Sequence, residues 1–241
     1  MSNEDQKIGI LGYGEIGKSL ASFYRSPKVK DLDRDDRLEG VDVLNICIPW
    51  NEDFVEIVKK EIEKIKPKLT IIHSTVAPGT TKEIGGIVVH SPVRGMHPDL
   101  APGIKTFVKY IGTDNEEAGE MAKKHLESLG IKTRVFNPSV TTELGKLFST
   151  SYYGLCIAWH GEMKKICDKF GVDFSEAAVD FNKTYNEGYK KLGLDDVIRP
   201  TLYPPGDKIG GHCITPNAKI LDKFFDSEAI NLILKYKKHG N

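Results

Sequence analysis

The 241-residue chain contains no apolar run approaching the length of about 18 residues that a membrane-spanning helix requires. It has no charge of one sign to spare. Lys plus Arg and Asp plus Glu are both 34, so the net charge is zero, which argues against nucleic acid as a partner. Cysteine is scarce. Cys47, Cys156, Cys167 and Cys213 form no CxxC pair and no metal-ligand spacing. A disulfide framework and a structural metal site are therefore not expected. With no secretory leader read at the start, the expected setting is the reducing cytoplasm. Internal repeats and low-complexity tracts are absent too.

What is present begins with "KIGILGYGEIGKSLASFY", residues 7–24. A short apolar run leads into glycines and then into a helical pattern. Gly12, Gly14 and Gly17 form GxGxxG between a strand and a helix. In that context the first glycine permits a tight turn and the second lets a pyrophosphate approach the backbone. The third lets helix and strand pack closely, with the diphosphate at the helix N-terminus. Tyr13, Glu15 and Ile16 complete the expected cofactor loop. The next strand, "KVKDL", ends at Asp31, where a carboxylate accepts hydrogen bonds from ribose hydroxyls. This points to NAD. Arg34 and Arg37 follow and keep NADP as an alternative, because either could hold a 2′-phosphate.

Strands and helices alternate onward. "VDVLNICIP" reads as a strand buried on both faces, ending at Pro49, which we assign to the cofactor site. Asn51 is placed to cap the helix that follows. "KLTIIHSTV" and "GIVVHSP" are further strands, with "APGTT" as a turn between them. "FVKYIG", "NEEAGEMAKKHLESLG" and "KTRVFN" read as strand, helix and strand. Between Asp33 and Val41 there is no room for a helix and a strand, so one βα unit is missing. After Asn137-Pro138 the strand signals stop. Ser139 can cap one helix of about 30 residues, ending at Gly171, far longer than the usual 11–12. The expected fold class is α/β. A reduced Rossmann-type parallel-sheet domain over 1–138 is followed by an α-helical, dimerisation-type domain over 139–241. A homodimer is expected through residues 139–170.

The order of motifs is similar to that of a known family. GxGxxG, "HSTVAPGTT", "SPVRG", "ELGK" opening the long helix, and "IGGHCITP" together resemble the UDP-glucose/GDP-mannose dehydrogenases, including the UDP-N-acetylmannosamine enzymes. The resemblance implies an NAD-dependent oxidoreductase with a small-molecule substrate. It would take an alcohol or aldehyde of a sugar nucleotide or related polar metabolite through a thiohemiacetal on Cys213. It also implies an active-site lysine at Lys146 and a cofactor-side threonine at Thr75. The sequence departs from the family at Thr150, where Asn is usual, at Val93, where Glu is usual, and at Asn217, where Asp is usual. The chain also ends soon after Cys213, without the family's C-terminal nucleotide-binding domain. His212 or Glu143 would then have to act as base for thioester hydrolysis. Two alternatives are a cofactor-binding regulatory or assembly protein without complete turnover, and a prephenate-dehydrogenase-like two-electron enzyme.

Overall fold

A computed structural model describes residues 6–206, 208–210 and 213–236. The chain divides into two compact units between Lys146 and Leu147. The first is built on an eight-stranded sheet. Its strands are β1 (Ile8–Leu11), β2 (Lys28–Asp31), β3 (Arg34–Asp35), β4 (Val43–Ile46), β5 (Leu69–Ile72), β6 (Val88–His90), β7 (Lys109–Gly112) and β8 (Thr133–Phe136). They lie in the order β3-β2-β1-β4-β5-β6-β7-β8.

The missing βα unit is visible as an edge hairpin. Only Leu32 and Asp33 separate β2 from β3, and a turn that short can join only antiparallel strands. The chain then returns to β4 without a helix. The junction of β6 with β7 is antiparallel as well, through the single pair His90 and Gly112. The sheet is therefore mixed and mostly parallel, not purely parallel as the strand-helix alternation implied.

Both faces are covered. One carries α1 (Glu15–Ala21) and α5 (Glu116–Ser128), whose Leu20, Ala118, Ala122 and Leu126 pack on Ile8, Ile10 and Ile71. The other carries α2 (Phe54–Ile65) and α3 (Thr80–Ile84), where Phe54, Val58, Ile65 and Ile84 meet Leu44, Ile46 and Ile72. This is why β1, β4 and β5 are buried along their whole length. "APGTT" thus turns and then opens the short helix α3. A further short helix, α4 (Ala101–Thr106), follows the loop after β6. Asn51 accepts a hydrogen bond from the Asp53 N–H at 3.0 Å, so it organises the turn before α2, with Asp53 itself at the cap position.

The long helix, α6 (Val140–Phe170), is continuous over 31 residues. Its first turns belong to the sheet unit and the rest to the second unit. That unit continues through a π-helical turn (Ser175–Asp180), α7 (Phe181–Lys191), α8 (Ile214–Asp222) and α9 (Glu228–Lys235). A small core of Cys167, Phe174, Ala178 and Val179 closes around Met163. The residue after α9, Tyr236, lies so close to α6 that a Cβ at Gly161 would come within 2.5 Å of its hydroxyl oxygen. The Tyr236 hydroxyl donates to Glu162 at 2.7 Å. Among the described residues no helix is long and apolar enough to cross a membrane.

Candidate functional site

The glycine loop after β1 is built from three different steric demands. Gly12 has φ +95, and a Cβ there would stand 2.8 Å from the Cys47 carbonyl carbon and the Ile48 nitrogen on β4's continuation. At Gly17 a Cβ would come within 2.0 Å of the Gly12 carbonyl oxygen, so α1 crosses β1 at a distance only glycine permits. A Cβ at Gly14 meets nothing within 4 Å. The backbone there faces open space at the N-terminus of α1, where the first N–H groups have no intrahelical partner. That space fits a dinucleotide's pyrophosphate.

Asp31 is tied to the same loop. Its Oδ2 accepts the Tyr13 N–H at 2.5 Å and its Oδ1 accepts the Leu32 N–H at 2.7 Å. Ile16 packs into the core beneath the loop. Glu15, in the first turn of α1, is paired with His97 from the loop after β6. Arg34, considered above as a 2′-phosphate ligand, is already engaged. Its guanidinium makes three contacts of 2.5–3.1 Å with the Asp36 carboxylate, which hold that carboxyl below its ordinary range. It also lies 5.4 Å from the Tyr13 ring centre.

The carboxyl ends of β4, β5 and β6 bring the next residues alongside. Pro49 is exposed after β4, and Thr75 is half-buried after β5. The two segments are joined by Ser74, whose hydroxyl donates to the Ile48 carbonyl at 2.6 Å. Lys146 on α6 donates to the Val93 carbonyl at 2.9 Å, beyond the end of β6. The sheet unit thus gathers Gly12, Tyr13, Gly14, Glu15, Ile16, Gly17, Asp31, Pro49, Thr75 and Lys146 at one end of its parallel strands.

Two buried charges, one read from sequence in another role and one missed, hold this end together. Glu143 is fully buried. Its carboxylate accepts from the Gly79 N–H at 2.6 Å, the Thr81 N–H at 2.8 Å and the Thr81 hydroxyl at 2.6 Å. Burial raises its pKa against the pull of those donors. It is a structural clamp on the "APGTT" turn, which corrects its assignment as a possible hydrolytic base. Lys109 on β7 is the other. Its ammonium donates to the Ser91 carbonyl at 2.7 Å and the Pro92 carbonyl at 3.3 Å, and burial lowers its pKa to about 7. The signal for it was a lysine inside the apolar strand "FVKYIG".

The histidines near the strand ends are neutral structural groups. His73 bonds Asn45 at 2.9 Å, and His90 bridges the Thr142 hydroxyl and the Ser74 carbonyl at 2.8 and 3.1 Å. Burial lowers the pKa of His73 well below its usual value and that of His90 to about 3.

In the second unit, Cys213 is half-buried at the cap position of α8. One turn on, the Asn217 N–H bonds back to the Cys213 carbonyl at 3.0 Å. The Asn217 side-chain amide donates to the Thr150 hydroxyl of α6, also at 3.0 Å. Two of the positions that depart from the family pattern therefore form one neutral pair, one turn along α8 from Cys213. Cys47 and Cys167 are buried, whereas Cys156 is half-buried like Cys213. His212 lies outside the described residues.

No family model matches the chain. The UDP-N-acetyl-D-mannosamine dehydrogenase of Methanococcus maripaludis strain C7 is 28% identical over 222 residues, covering 84% of this chain and 48% of that one. The UDP-glucose 6-dehydrogenase of Rickettsia prowazekii is 27% identical over 195 residues, covering 74% and 41%. Among solved structures, the UDP-D-ManNAc dehydrogenase of Pyrococcus horikoshii superposes with a TM-score of 0.77 at 19% identity, over 96% of this chain and 68% of that one. The 3-hydroxyisobutyrate dehydrogenase of Mycobacterium tuberculosis gives 0.68 at 14% identity, over 96% and 92%. The chain spans about half the length of the curated relatives it matches. The resemblance to the nucleotide-sugar dehydrogenase family holds along most of this chain.

The buried bases make a pH test. His73, His90 and Lys109 all have folded pKa values below their unfolded ones, as does His125, lowered to about 4 by burial. A depressed value stabilises the fold above the unfolded pKa, and that stability is lost as pH falls toward the folded pKa. For His125 and His90 the window runs from about 6.5 down to 4 and 3; for Lys109 it runs from 10.5 toward 7. His90 and His125 should each cost on the order of 1–2 kcal/mol between pH 8 and pH 5. The urea unfolding midpoint should be lower at pH 5 than at pH 8, and a flat profile would contradict this account.

Proposed function

We propose that the chain is an NAD-dependent oxidoreductase acting on an alcohol or aldehyde carbon of a sugar nucleotide or a related polar metabolite. The observation that carries this is the cradle at Gly14, open on the side where a Cβ would stand and flanked by the Asp31 carboxylate. Bound there, NAD would supply the hydride acceptor.

The chain's own residues would divide the remaining work. Gly12–Gly17 bind the diphosphate and Asp31 accepts from the ribose. Pro49 and Thr75 border the cofactor's far half. The Lys146 ammonium stabilises oxyanion character at the reacting carbon. The Cys213 thiolate adds to an aldehyde carbon to give a thiohemiacetal. Departure of hydride from that carbon, and of the hydroxyl proton, leaves a thioester. Water must then cleave the carbon–sulfur bond to release acid and thiol.

That last step needs a general base. Where the resemblance leads one to expect a carboxylate, Asn217 is neutral and bonded to Thr150. This favours slow thioester hydrolysis, and it keeps a second reading in play: cofactor binding without complete turnover, in a regulatory or assembly role. The TM-score of 0.68 to a 3-hydroxyisobutyrate dehydrogenase, a fold-level likeness, leaves a two-electron dehydrogenase as the other reading.

Cofactor choice is tested by fluorescence titration. Because Arg34 is committed to Asp36, NADH should bind at least about tenfold more tightly than NADPH, the equivalent of about 1.4 kcal/mol. Equal affinities would refute the assignment of Asp31 to the ribose.

The thiol is tested with UDP-N-acetylmannosamine and UDP-glucose as trial substrates. Cys213→Ser should leave NADH binding unchanged and abolish aldehyde oxidation. If the variant retains full activity, Cys213 is structural. NADH binding with no oxidation of either substrate by the wild type would favour the second reading.

Assembly is tested on α6. Phe148, Tyr152, Trp159, Ile166 and Phe170 recur at steps of four and seven and are 49–73% exposed in the single chain. That stripe suits burial against a second copy, since soluble oligomers are mostly symmetric dimers. Light scattering at micromolar concentration should give a dimer, and Trp159→Glu should shift it to monomer. A wild-type monomer would exclude this interface.

A further inference from the structure

A cavity of about 460 Å³ opens at the amino ends of β1 and β2, on the opposite edge of the sheet from the glycine loop. Its volume is within the range of small-ligand sites. The wall is apolar and aromatic, formed by Ile8, Phe23, Leu129 and the ring of Tyr24. The rim is cationic. Lys7, Arg25 and Lys28 line it, and among the described residues no carboxylate does. Lys28 is steadied by donating to the Arg37 carbonyl at 2.9 Å. A fourth cation, Lys105, stands 5.2 Å from the Phe23 ring centre and donates to the Leu129 carbonyl at 2.5 Å.

The back of the cavity is held in one geometry. Tyr24 and His125 stack with ring centres 5.8 Å apart and planes 20° apart. The Tyr24 hydroxyl meets His125 Nε2 at 2.9 Å, and His125 Nδ1 meets Gln6 Oε1 at 3.0 Å. A neutral imidazole satisfies this chain when Nδ1–H donates to Gln6 and Nε2 accepts from Tyr24. Lys7, Arg25 and Lys28 give the mouth of this aromatic wall a positive charge, which Asp42 near Lys7 and Asp36 near Lys28 offset in part. A flat ring would lie against Tyr24 and Phe23 while its charged group faced the rim.

We propose that this cavity is a binding site for a small aromatic anion, a planar ring carrying a phosphate or carboxylate, separate from the dinucleotide cradle. The proposal does not depend on the oxidoreductase reading.

Calorimetry on the full chain tests it, with phenyl phosphate and benzoate as probes and with inorganic phosphate and phenol as controls. Phenyl phosphate or benzoate should bind at least about tenfold more tightly than either control, because ring and charge are needed together. Arg25 is exposed, so Arg25→Glu should leave the fold intact; it should weaken binding at least about tenfold, a loss equivalent to about 1.4 kcal/mol. Lys60→Glu, the same charge change on the exposed face of α2, should leave binding within about twofold. Absence of binding by both aromatic anions at millimolar concentration would overturn the proposal. So would equal weakening by Lys60→Glu, which would mark the attraction as diffuse, or an unchanged affinity in Arg25→Glu. A preference for phenyl phosphate or for benzoate assigns the charged group.

Discussion

The end of the sheet that carries the candidate site depends on one carboxylate sealed from water. Glu143 lies in the first turns of α6 and accepts three hydrogen bonds from Gly79 and Thr81. Hydrogen bonds to a charged group contribute about 1.5–3 kcal/mol each, while stripping a carboxylate of water costs several. The two are of similar size. Net stabilisation is therefore a poor explanation for the group. What it fixes is register, since only one rotation and one height of α6 lets both oxygens meet these donors. With that register set, Lys146, three residues on, falls on the same helix face and reaches Val93.

Lys109 does the corresponding work from the other side. Two lysines grip successive carbonyls of one loop: Lys109 takes Ser91 and Pro92, and Lys146 takes Val93. The two ammonium groups disfavour each other, and Lys109, the more deeply buried, has its pKa pushed toward neutrality. Three consecutive carbonyls facing ammonium groups leave this backbone little freedom. Val93 sits where the family carries a glutamate, and here it is the main chain of that residue, through its carbonyl, that meets the lysine.

The parts that were legible in the sequence are those whose physics is local. The demands at Gly12, Gly14 and Gly17 arise within one turn of chain, and Asp31 ends the adjacent strand. Helical spacing of apolar residues predicted α6 to within a residue at its C-terminal end. The parts that were not legible depend on partners far away in sequence. Glu143 answers donors 62 and 64 residues earlier, so from sequence it looked like a spare base. Lys109 answers carbonyls 17 and 18 residues earlier. The antiparallel junctions were hidden because apolar strands read alike in either direction. Arg34 pairs with Asp36, only two residues away, but the charged run "DLDRDDR" gave no hint which pairs would form.

The second unit suggests how the departures from the family pattern fit together. An asparagine at 217 in place of an aspartate would leave a buried amide needing an acceptor. Thr150, which stands where the family has asparagine, supplies one through its hydroxyl. That hydroxyl also donates back to the Leu147 carbonyl at 3.0 Å, so donor and acceptor are both used. The two departures are thus mutually satisfying, and neither leaves an unpaired polar group, which would cost about 1–3 kcal/mol. A neutral pair of this kind can orient the start of α8 and the thiol at its cap, but it has no proton-accepting site strong enough to activate water.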